Sequence, residues 1–459
     1  HRSTSSVANT DGPLSAAPSS LLSSQHISSN PIYSGGDDTD IMSFPSLFDR
    51  YTLCGNYLWD TSLIPGTILC TIPVTPGYGI NYVNGLSIGP AGYYGSHFNF
   101  WMGGMKYWIY IPVSKLHQGT LQILWSPTGT FATEDTTVLN NAVIQIQANN
   151  CLEVVIDFAQ IKPKRMSLNY ASGFTSSDYV NGYMRIVVLN NIVAQQTNTS
   201  TNVIIFQKSL PNMQFFQFVD RCVFPNSSIS YNSFQYSSQM QYQVNGAIGT
   251  DMDQCISISL VAPTNQYPID SAFSGEIINS ARVFLSKPSQ LKERAGSTIN
   301  GVNRLGPFIE NGNDFLTVCR WALLPFVGVA ADEVIQIFPR SPCWIGACRN
   351  TNNDVYTNTY GDTKTPNPLA PLTYSGPQLG AEFTIPYYTR RKFVLCREAA
   401  DDGGGTVVYT YSAVTPNDFS FIPFLSLSSN ARVVQFRQIP YLKPTNQATP
   451  APWFTGSFS

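Results

Sequence analysis

Alternating apolar and polar positions recur through the first half of this sequence, in blocks rich in β-branched residues. Such period-two blocks predict half-buried strands. Turn-forming clusters such as Pro76-Gly77-Tyr78-Gly79 separate them, and no amphipathic stretch of three helical turns intervenes. The pattern therefore predicts an all-β sandwich. The predicted strands are 67–74, 107–113, 120–125, 142–147, 152–158, 184–189 and 203–207.

The second half carries a similar pattern, so it is also predicted to be mainly β. One helix is expected at 275–285, because Ile277, Ile278, Ala281, Phe284 and Leu285 fall on one face at spacings of three and four. No repeat of 20 to 50 residues indicates a solenoid or propeller. The predicted strands are 315–329, 334–338, 382–396, 406–412 and 419–427.

Two stretches without either periodicity divide the chain. Residues 1–35 are dense in Ser and nearly uncharged, which predicts an extended N-terminal arm. Residues 225–255 are rich in Ser, Asn, Gln and Tyr and predict a linker. The 459 residues exceed the length over which one core usually grows. We therefore expect one domain at 36–224 and a second at 256–459.

Charge is scarce: Asp, Glu, Lys and Arg make up 12% of the chain, about half the usual share, while aromatic residues reach 13%. So few charges poorly solvate a free monomer and favour a subunit that buries much of its surface against neighbours. The longest apolar run, 321–331, is too short to span a bilayer, so no membrane-spanning segment is expected. Without a visible signal peptide, cytosolic synthesis is expected.

The cysteines are odd in number, nine, and scattered. Those inside apolar strand-like runs are predicted to be reduced and buried: Cys54, Cys70, Cys151, Cys319 and Cys396. The close pair Cys343 and Cys348 lacks the second pair or the histidines that a zinc site requires. No metal and no cofactor are predicted.

Catalytic machinery is poorly represented as well, and no catalytic residue is predicted. The histidines are His1, His26, His97 and His117, all in the first 117 residues. His117 with Ser114 and Asp157 contains the residue types of a triad, but no nucleophile elbow or oxyanion loop accompanies them. A histidine at a strand end, bonded to backbone, is the favoured interpretation.

Two charged clusters leave alternatives open. Asp37, Asp38 and Asp40 could hold a divalent cation between subunits, although a solvated loop is favoured. The basic runs 162–165 and 390–392 could touch RNA phosphates, but each is short and lacks the stacked aromatics of a sequence reader. Only non-specific RNA contact is expected from them.

Several motifs resemble a coat-protein family. Phe44-Pro45-Ser46-Leu47-Phe48-Asp49-Arg50-Tyr51, then Phe98-Asn99-Phe100-Trp101-Met102-Gly103-Gly104-Met105-Lys106-Tyr107, is similar to a jelly-roll coat subunit of dicistroviruses, iflaviruses and marnavirus-like members of the Picornavirales. His117-Gln118-Gly119-Thr120-Leu121-Gln122-Ile123 and Gly182-Tyr183-Met184-Arg185-Ile186-Val187-Val188-Leu189-Asn190 continue the likeness, which covers about residues 36–220. Met102 and Gly104 depart from the Arg and Ser usual in that family.

A weaker likeness to a different coat subunit appears in the second half. It lies in Gly275-Glu276 with Ser280 and Arg282, in Thr384-Ile385-Pro386-Tyr387-Tyr388, and in Asn417-Asp418-Phe419-Ser420-Phe421, in the expected order. This half is short for a full roll. The resemblance therefore implies an eight-stranded antiparallel jelly-roll β-sandwich of viral coat type, followed by a trimmed jelly roll or a projection domain.

The resemblance also implies a function. It is that of a capsid protein, not an enzyme, in a non-enveloped icosahedral virion that assembles in the host cytoplasm. Its partners would be copies of itself and other capsid proteins around a positive-strand RNA genome, with surface loops for attachment to an unknown receptor. The alternative is a lectin-like, carbohydrate-binding β-sandwich, which the surplus of Tyr and Trp could support.

Overall fold

The structure is a computed structural model, and parts of the chain lie outside its description. The described residues are 40–82, 85–113, 117–128, 141–146, 150–159, 164–167, 177–193, 200–219, 255–261, 278–291, 294–296, 300–305, 318–349, 372–375, 380–387, 393–396, 406–411, 419–436 and 439.

The described chain forms two compact units. The first unit is Ser43–Asn279 with Ile439, and the second combines residues 40–42 with the chain from Ser280 to Phe436. The predicted arm and residues 225–254 of the predicted linker lie outside the described residues. The division into arm, domain, linker and domain therefore stays a prediction.

Eight strands build the sandwich of the first unit. They are β1 (Thr52–Asp60), β2 (Ile68–Pro73), β6 (Met105–Tyr110), β7 (Gln118–Ser126), β8 (Asn141–Gln145), β9 (Cys151–Ile156), β11 (Tyr183–Val193) and β12 (Ser200–Ser209). One sheet has the order β1-β12-β6-β9 and the other β2-β11-β7-β8. All of these neighbours are antiparallel.

This order is that of a long hairpin rolled up on itself. The first of the eight strands pairs with the last, the second with the seventh, the third with the sixth and the fourth with the fifth. That pairing defines the jelly roll. The predicted fold of the first half is confirmed.

Alternation along the strands explains why these residues form a sandwich. In β11, Met184, Ile186 and Val188 are fully buried, while the residues between them are half-buried. Tyr107 and Leu121, on strands of opposite sheets, are fully buried as well. Each sheet thus directs one apolar face inward, as two packed sheets require.

Smaller elements complete the first unit. They are α1 (Phe44–Phe48), β3 (Gly79–Tyr82), β4 (Gly85–Ile88), α2 (Pro90–Gly95), β5 (Phe98–Met102), β10 (Arg165–Met166), a 3₁₀ turn (Ser177–Tyr179) and β13 (Gln214–Phe218). β10, β5 and β13 form a three-stranded sheet. Phe98 and Phe215 of this sheet stack on each other, and the ring of Phe44 in α1 packs edge-on against Phe215.

A further strand, β14 (Ile256–Val261), pairs in parallel with β9 and extends the first sheet to five strands. From sequence these residues were assigned to the second domain. A pairing between segments about a hundred residues apart leaves no local signature, so the pattern alone could not place this strand.

The second unit has more elements than the sequence led us to expect. Its strands are β15 (Ser289–Gln290), β16 (Arg294–Gly296), β17 (Asn300–Leu305), β18 (Phe326–Ala330), β19 (Glu333–Pro339), β20 (Cys343–Arg349), β21 (Leu372–Ser375), β22 (Ala381–Ile385), β23 (Val394–Leu395), β24 (Thr406–Tyr411), β25 (Phe419–Leu427) and β26 (Arg432–Phe436). Its helices are α3 (Arg282–Ser286) and α4 (Val318–Leu323).

These strands repeat the rolled hairpin. One sheet has the order β15-β25-β19-β22, with β16 also on β25, and the other β17-β24-β20-β21. All eight sandwich positions are filled, so the second half is a complete jelly roll, not a trimmed one. Its core joins both sheets, through Ile335 and Ile337 on β19 and Ile345 on β20.

Two sequence predictions fail in the second unit. Residues 315–329 were expected to be a strand, but 318–323 form α4, all six residues of which are buried. A helix that is apolar on every side shows no period to distinguish it from a buried strand. The expected helix at 275–285 begins only at Arg282, and its predicted residues 275–277 lie outside the described residues.

Candidate functional site

The residues of the considered triad do not meet. Gly119, two residues after His117, packs against Trp59 near the end of β1. Asp157 instead adjoins Gly104, at the opposite end of the β6–β9 pair. A six-residue strand is about 20 Å long, so His117 and Asp157 lie too far apart for direct proton transfer. Ser114 lies outside the described residues.

The other histidines give no catalytic arrangement either. His97 is 2% exposed and stacks on Phe218, with ring centroids 6.2 Å apart. His1 and His26 lie outside the described residues. Within the described ranges, no group of three His, Cys, Asp or Glu side chains could hold a metal ion.

Asp40 forms hydrogen bonds with Ser280 and Arg282. It does not belong to a cluster of carboxylates within the described residues. Its carboxylate accepts hydrogen bonds from Ser280 Oγ at 2.8 Å and from Arg282 Nη2 at 2.8 Å. Arg282 also donates to the carbonyl oxygen of Ala431. Burial alone would raise the pKa of Asp40, but these partners hold it below its ordinary value. Asp37 and Asp38 lie outside the described residues.

The first basic run is already engaged within the fold. The Lys164 ammonium lies 4.5 Å from the ring centroid of Phe216. Arg165 is 6% exposed, in a strand paired with Trp101. These two side chains are therefore poorly placed to neutralise phosphates. Lys162 and the run 390–392 lie outside the described residues.

The cysteines correct one prediction. Cys54, Cys70, Cys319, Cys343 and Cys396 are free and buried, and burial raises the pKa of Cys70 to about 12. Cys151, however, forms a disulfide with Cys255, with a Cα–Cα distance of 5.4 Å. The reason is β14, whose parallel register brings the residue before Ile256 next to the residue before Leu152. The side chain of Cys348 lies outside the description.

A partly buried polar junction ties three strand ends of the first unit together. Asn212 Nδ2 donates to Asp157 Oδ1 at 2.9 Å, and Asn212 Oδ1 accepts from the Gly104 amide at 3.0 Å. Asn181 is fully buried and donates to the Asp157 carbonyl at 2.9 Å. We call Asp157, Asn181 and Asn212 the first junction. It fixes the ends of β6, β9 and β12.

Glycine is required beside this junction. Gly103 has a φ of +138°, and a Cβ there would lie 2.5 Å from the Cα of Met213. Only glycine accommodates both the positive φ and the close approach of two backbones. The Gly103-Gly104 pair thus allows close packing of the chain at the start of β6.

The second unit contains a counterpart at the same strand ends. Asp332 Oδ1 accepts from the Tyr387 amide at 2.8 Å, and Oδ2 accepts from Asn430 Nδ2 at 3.0 Å. The Ser428 amide donates to the Asp332 carbonyl at 3.0 Å. We call Asp332 and Asn430 the second junction. Nothing in the sequence pattern singled out these residues, because isolated Asn and Asp residues between strands are typical of turns.

The outer face of the first sheet carries a charged pair over an aromatic cluster. Glu153 accepts from the Tyr51 hydroxyl at 2.6 Å and pairs with Lys106 at 3.1 Å. Burial opposes ionisation of Glu153, but these partners and Ser257 lower its pKa below the ordinary value. The arrangement is a structural network on one face of the first sheet.

Several apolar side chains are exposed along the segment where β1 leads into β2. Ile64 is 67% exposed, and Leu58 and Ile68 are about half exposed. Val193, also exposed, ends β11, the strand that pairs with β2. We call Leu58, Ile64, Ile68 and Val193 the apolar end of the first unit. Large apolar side chains left exposed on a subunit are candidates for burial in an interface.

Aromatic positions align across one sheet of the second unit. Trp344 on β20 is 44% exposed. Tyr374 on β21 and Tyr411 on β24 are its direct register partners. We call these three backbone positions the aromatic row. The exposed side chain of Trp344 is its described surface feature and the second candidate site.

No helix among the described residues is long and apolar enough to cross a membrane.

No family model matches the sequence, and the comparison with curated proteins gives no match. The comparison with solved structures gives matches with protein chains from virus structures. A black queen cell virus chain is 17% identical, with 42% of this chain and 82% of that chain covered and a TM-score of 0.37. A chain of the Triatoma virus empty capsid is 15% identical, covering 40% and 78%, with a TM-score of 0.36.

A marine algae virus of the order Picornavirales gives 16% identity, coverage of 39% and 76%, and a TM-score of 0.35. These similar structures come from the group of viruses that the sequence motifs resemble. At such identities and TM-scores, the assignment of the fold rests on the strand order described above.

Proposed function

We propose that this chain is a structural coat protein of a non-enveloped icosahedral virion. Two complete jelly rolls in one low-charge polypeptide carry the proposal. The jelly roll is a fold of viral capsid and lectin domains, and scarce charge favours a chain whose surface is covered by neighbours.

The role so proposed is assembly, not catalysis. The apolar end of the first unit offers side chains that an isolated protein would leave in water: Ile64 is 67% exposed. Burying such residues at the centre of an interface with copies or sister coat proteins would stabilise a shell. Because Lys164 and Arg165 are engaged within the fold, packaging of positive-strand RNA would depend little on their charge.

Electron microscopy of the assembled protein tests this proposal. The full chain is co-expressed with the neighbouring coat segments, separated by size-exclusion chromatography and imaged. Closed shells support the proposal. A stable small species in every salt and pH condition contradicts it.

A pair of variants links assembly to the apolar end. Ile64→Asp places a charge on this surface and should reduce the yield of closed shells at least tenfold, without loss of the folded subunit. Gln145→Asp adds a charge at an exposed position of the same sandwich and serves as the control. Equal yields for the two variants would show that the apolar end is not an assembly contact.

The aromatic row favours one alternative, a carbohydrate-binding sandwich. An exposed aromatic ring can stack on a sugar ring, and Trp344 is exposed enough to do so. A glycan array probed with the purified chain distinguishes the two functions. Binding by a small soluble species that Trp344→Ala abolishes would favour the lectin-like alternative over the coat.

A further inference from the structure

Strand β14 is held differently from every other described strand. It pairs with β9 in parallel, whereas the other described strand pairs are antiparallel. It also lies at the edge of its sheet, with a neighbour on one side only. An edge strand with one partner can detach without opening the sandwich.

Few side chains hold β14 in place. Ile256 is 49% exposed, Ser257 and Ser259 are exposed, and Leu260 is buried. Little apolar burial therefore offsets the entropy lost when the strand is ordered. Its position depends on backbone pairing with β9, on the hydrogen bond between Ser257 and Glu153, and on the bond at its first residue.

That bond is the Cys151–Cys255 disulfide. Cys151 lies in a buried cluster with Tyr51, Trp108 and Phe206, and Cys255 packs against this cluster. The Trp108 indole donates to Cys255 Sγ at 3.3 Å. Cys151 is 7% exposed, whereas Cys255 is more accessible. The sulfur on β14 is thus the one that a small thiol or disulfide can reach.

We propose that the Cys151–Cys255 disulfide is a redox latch that holds β14 on the edge of the first sheet. In the oxidised chain the strand covers the backbone of β9. In the reduced chain β14 detaches from β9, and the N–H and C=O groups on that side of β9 are exposed. An uncovered edge of this kind is a template on which another chain can add a strand.

Closing the latch is a thiol–disulfide exchange with a low-molecular-weight disulfide as the oxidant. The Cys255 thiolate attacks that disulfide, forms a mixed disulfide and releases one small thiol. The Cys151 thiolate then attacks the Cys255 sulfur and releases the second small thiol. The two cysteines lose two electrons and two protons, which the two released thiols carry. Cytosolic reductants keep the latch open and an oxidising exterior closes it.

Hydrogen exchange of the full chain, read by mass spectrometry, tests the latch. After oxidation with a small disulfide, peptides covering 255–261 should be protected. After reduction with dithiothreitol, their amides should exchange at least tenfold faster. Amides of β7 should be unaffected, because that strand lies in the other sheet. Equal protection of 255–261 in both states would overturn the proposal.

Two variants complete the design. Cys255→Ser should behave as the reduced protein whether oxidant is present or not. Ile256→Val, a conservative change at an exposed neighbour, should keep the full redox dependence. Alkylation of free thiols before digestion reports whether the bond forms. Failure of the bond to form in the oxidised chain would also refute the latch. Each of these readouts uses the single chain and is separate from the test of shell assembly.

Discussion

The two jelly rolls build the same junction with the carboxylate in different places. Each has an asparagine just after the eighth strand, Asn212 or Asn430. In the first roll the acid follows the sixth strand, as Asp157. In the second it precedes the third strand, as Asp332. The topology therefore fixes which backbone ends must be joined, but not which strand supplies the charge.

The two junction carboxylates also differ in how deeply they are buried, and this difference should affect the stability of the two units. Asp332 is 6% exposed and accepts from two donors inside the protein, while Asp157 is half-buried. A buried donor that loses its acceptor cannot recover the bond from water, whereas a half-exposed one can. The second junction should be the more sensitive of the two.

Asp332→Ala should give the largest loss. Two donors, the buried Tyr387 amide and the half-buried Asn430 side chain, would lose their acceptor, at a cost of about 3 kcal/mol. The measurement is hydrogen exchange in β19 and β22, with first-unit peptides as the internal reference. Glu382→Ala, at an exposed position, is the control. A loss no larger than that of the control would mean that Asp332 does not hold the second junction.

Asp157→Ala should cost less, about 1 to 2 kcal/mol, because water can reach this site. The loss should appear in exchange of β6 and β9 and leave the second unit unchanged. Asn212→Ala should cost at least as much, since the buried Gly104 amide loses its acceptor. An Asp157→Ala loss exceeding that of Asp332→Ala would reverse the comparison.

Acid should weaken both units through a carboxylate with a lowered pKa. The pKa of Glu153 lies below its ordinary value of 4.5 and that of Asp40 below 3.8. A depressed folded-state pKa stabilises the protein above the unfolded value, and the gain is lost as pH falls through the folded value. As the pH falls, the first unit should therefore begin to lose this contribution near pH 4.5, and the second unit should begin to lose it near pH 3.8.

Glu153→Gln and Asp40→Asn measure these contributions separately. Each should flatten the acid side of the pH–stability profile of its own unit and leave the other profile unchanged. Denaturant melts from pH 3 to 7, followed by exchange in each unit, provide the readout. Unchanged profiles in both variants would show that neither carboxylate governs acid sensitivity.

Trp344→Ala should have the smallest effect on folding. The side chain is 44% exposed, so its loss should change the stability of the second unit by less than about 1 kcal/mol. A large loss would place Trp344 in the core and remove the aromatic row as a candidate surface. Thermal unfolding followed by exchange in β20 decides between these outcomes.

The sequence predicts strands well where alternation is regular and buried on one side. The strand expected at 419–427 matches β25, and the one at 184–189 lies within β11, where buried and half-buried residues alternate. β1 was not predicted, because a bulge between Leu53 and Gly55 shifts its register and disturbs the alternation. A register shift near the start of a strand can thus conceal it from a search for local alternation.

The site features escaped prediction for a different reason. The Cys151–Cys255 bond joins residues 104 apart in sequence, and the junction residues come from loops that only the rolled topology brings together. Spacing rules find ligands or nucleophiles that lie close in sequence or in a known motif. Contacts made by sheet order require the sheet order first.

The rolled hairpin also sets the order in which the first unit can be completed during synthesis. Leu58 pairs with Asn202, and Thr52 with Gln207, so β1 has no partner in its own sheet until β12 has left the ribosome. Loop closure over such distances makes sandwiches slow to fold. Strand β14 arrives later still, and residues 40–42 bond to a segment around Ser280. The nascent chain therefore carries β1 without its sheet partner until much of the polypeptide exists, which makes aggregation of this strand the main hazard of folding during translation.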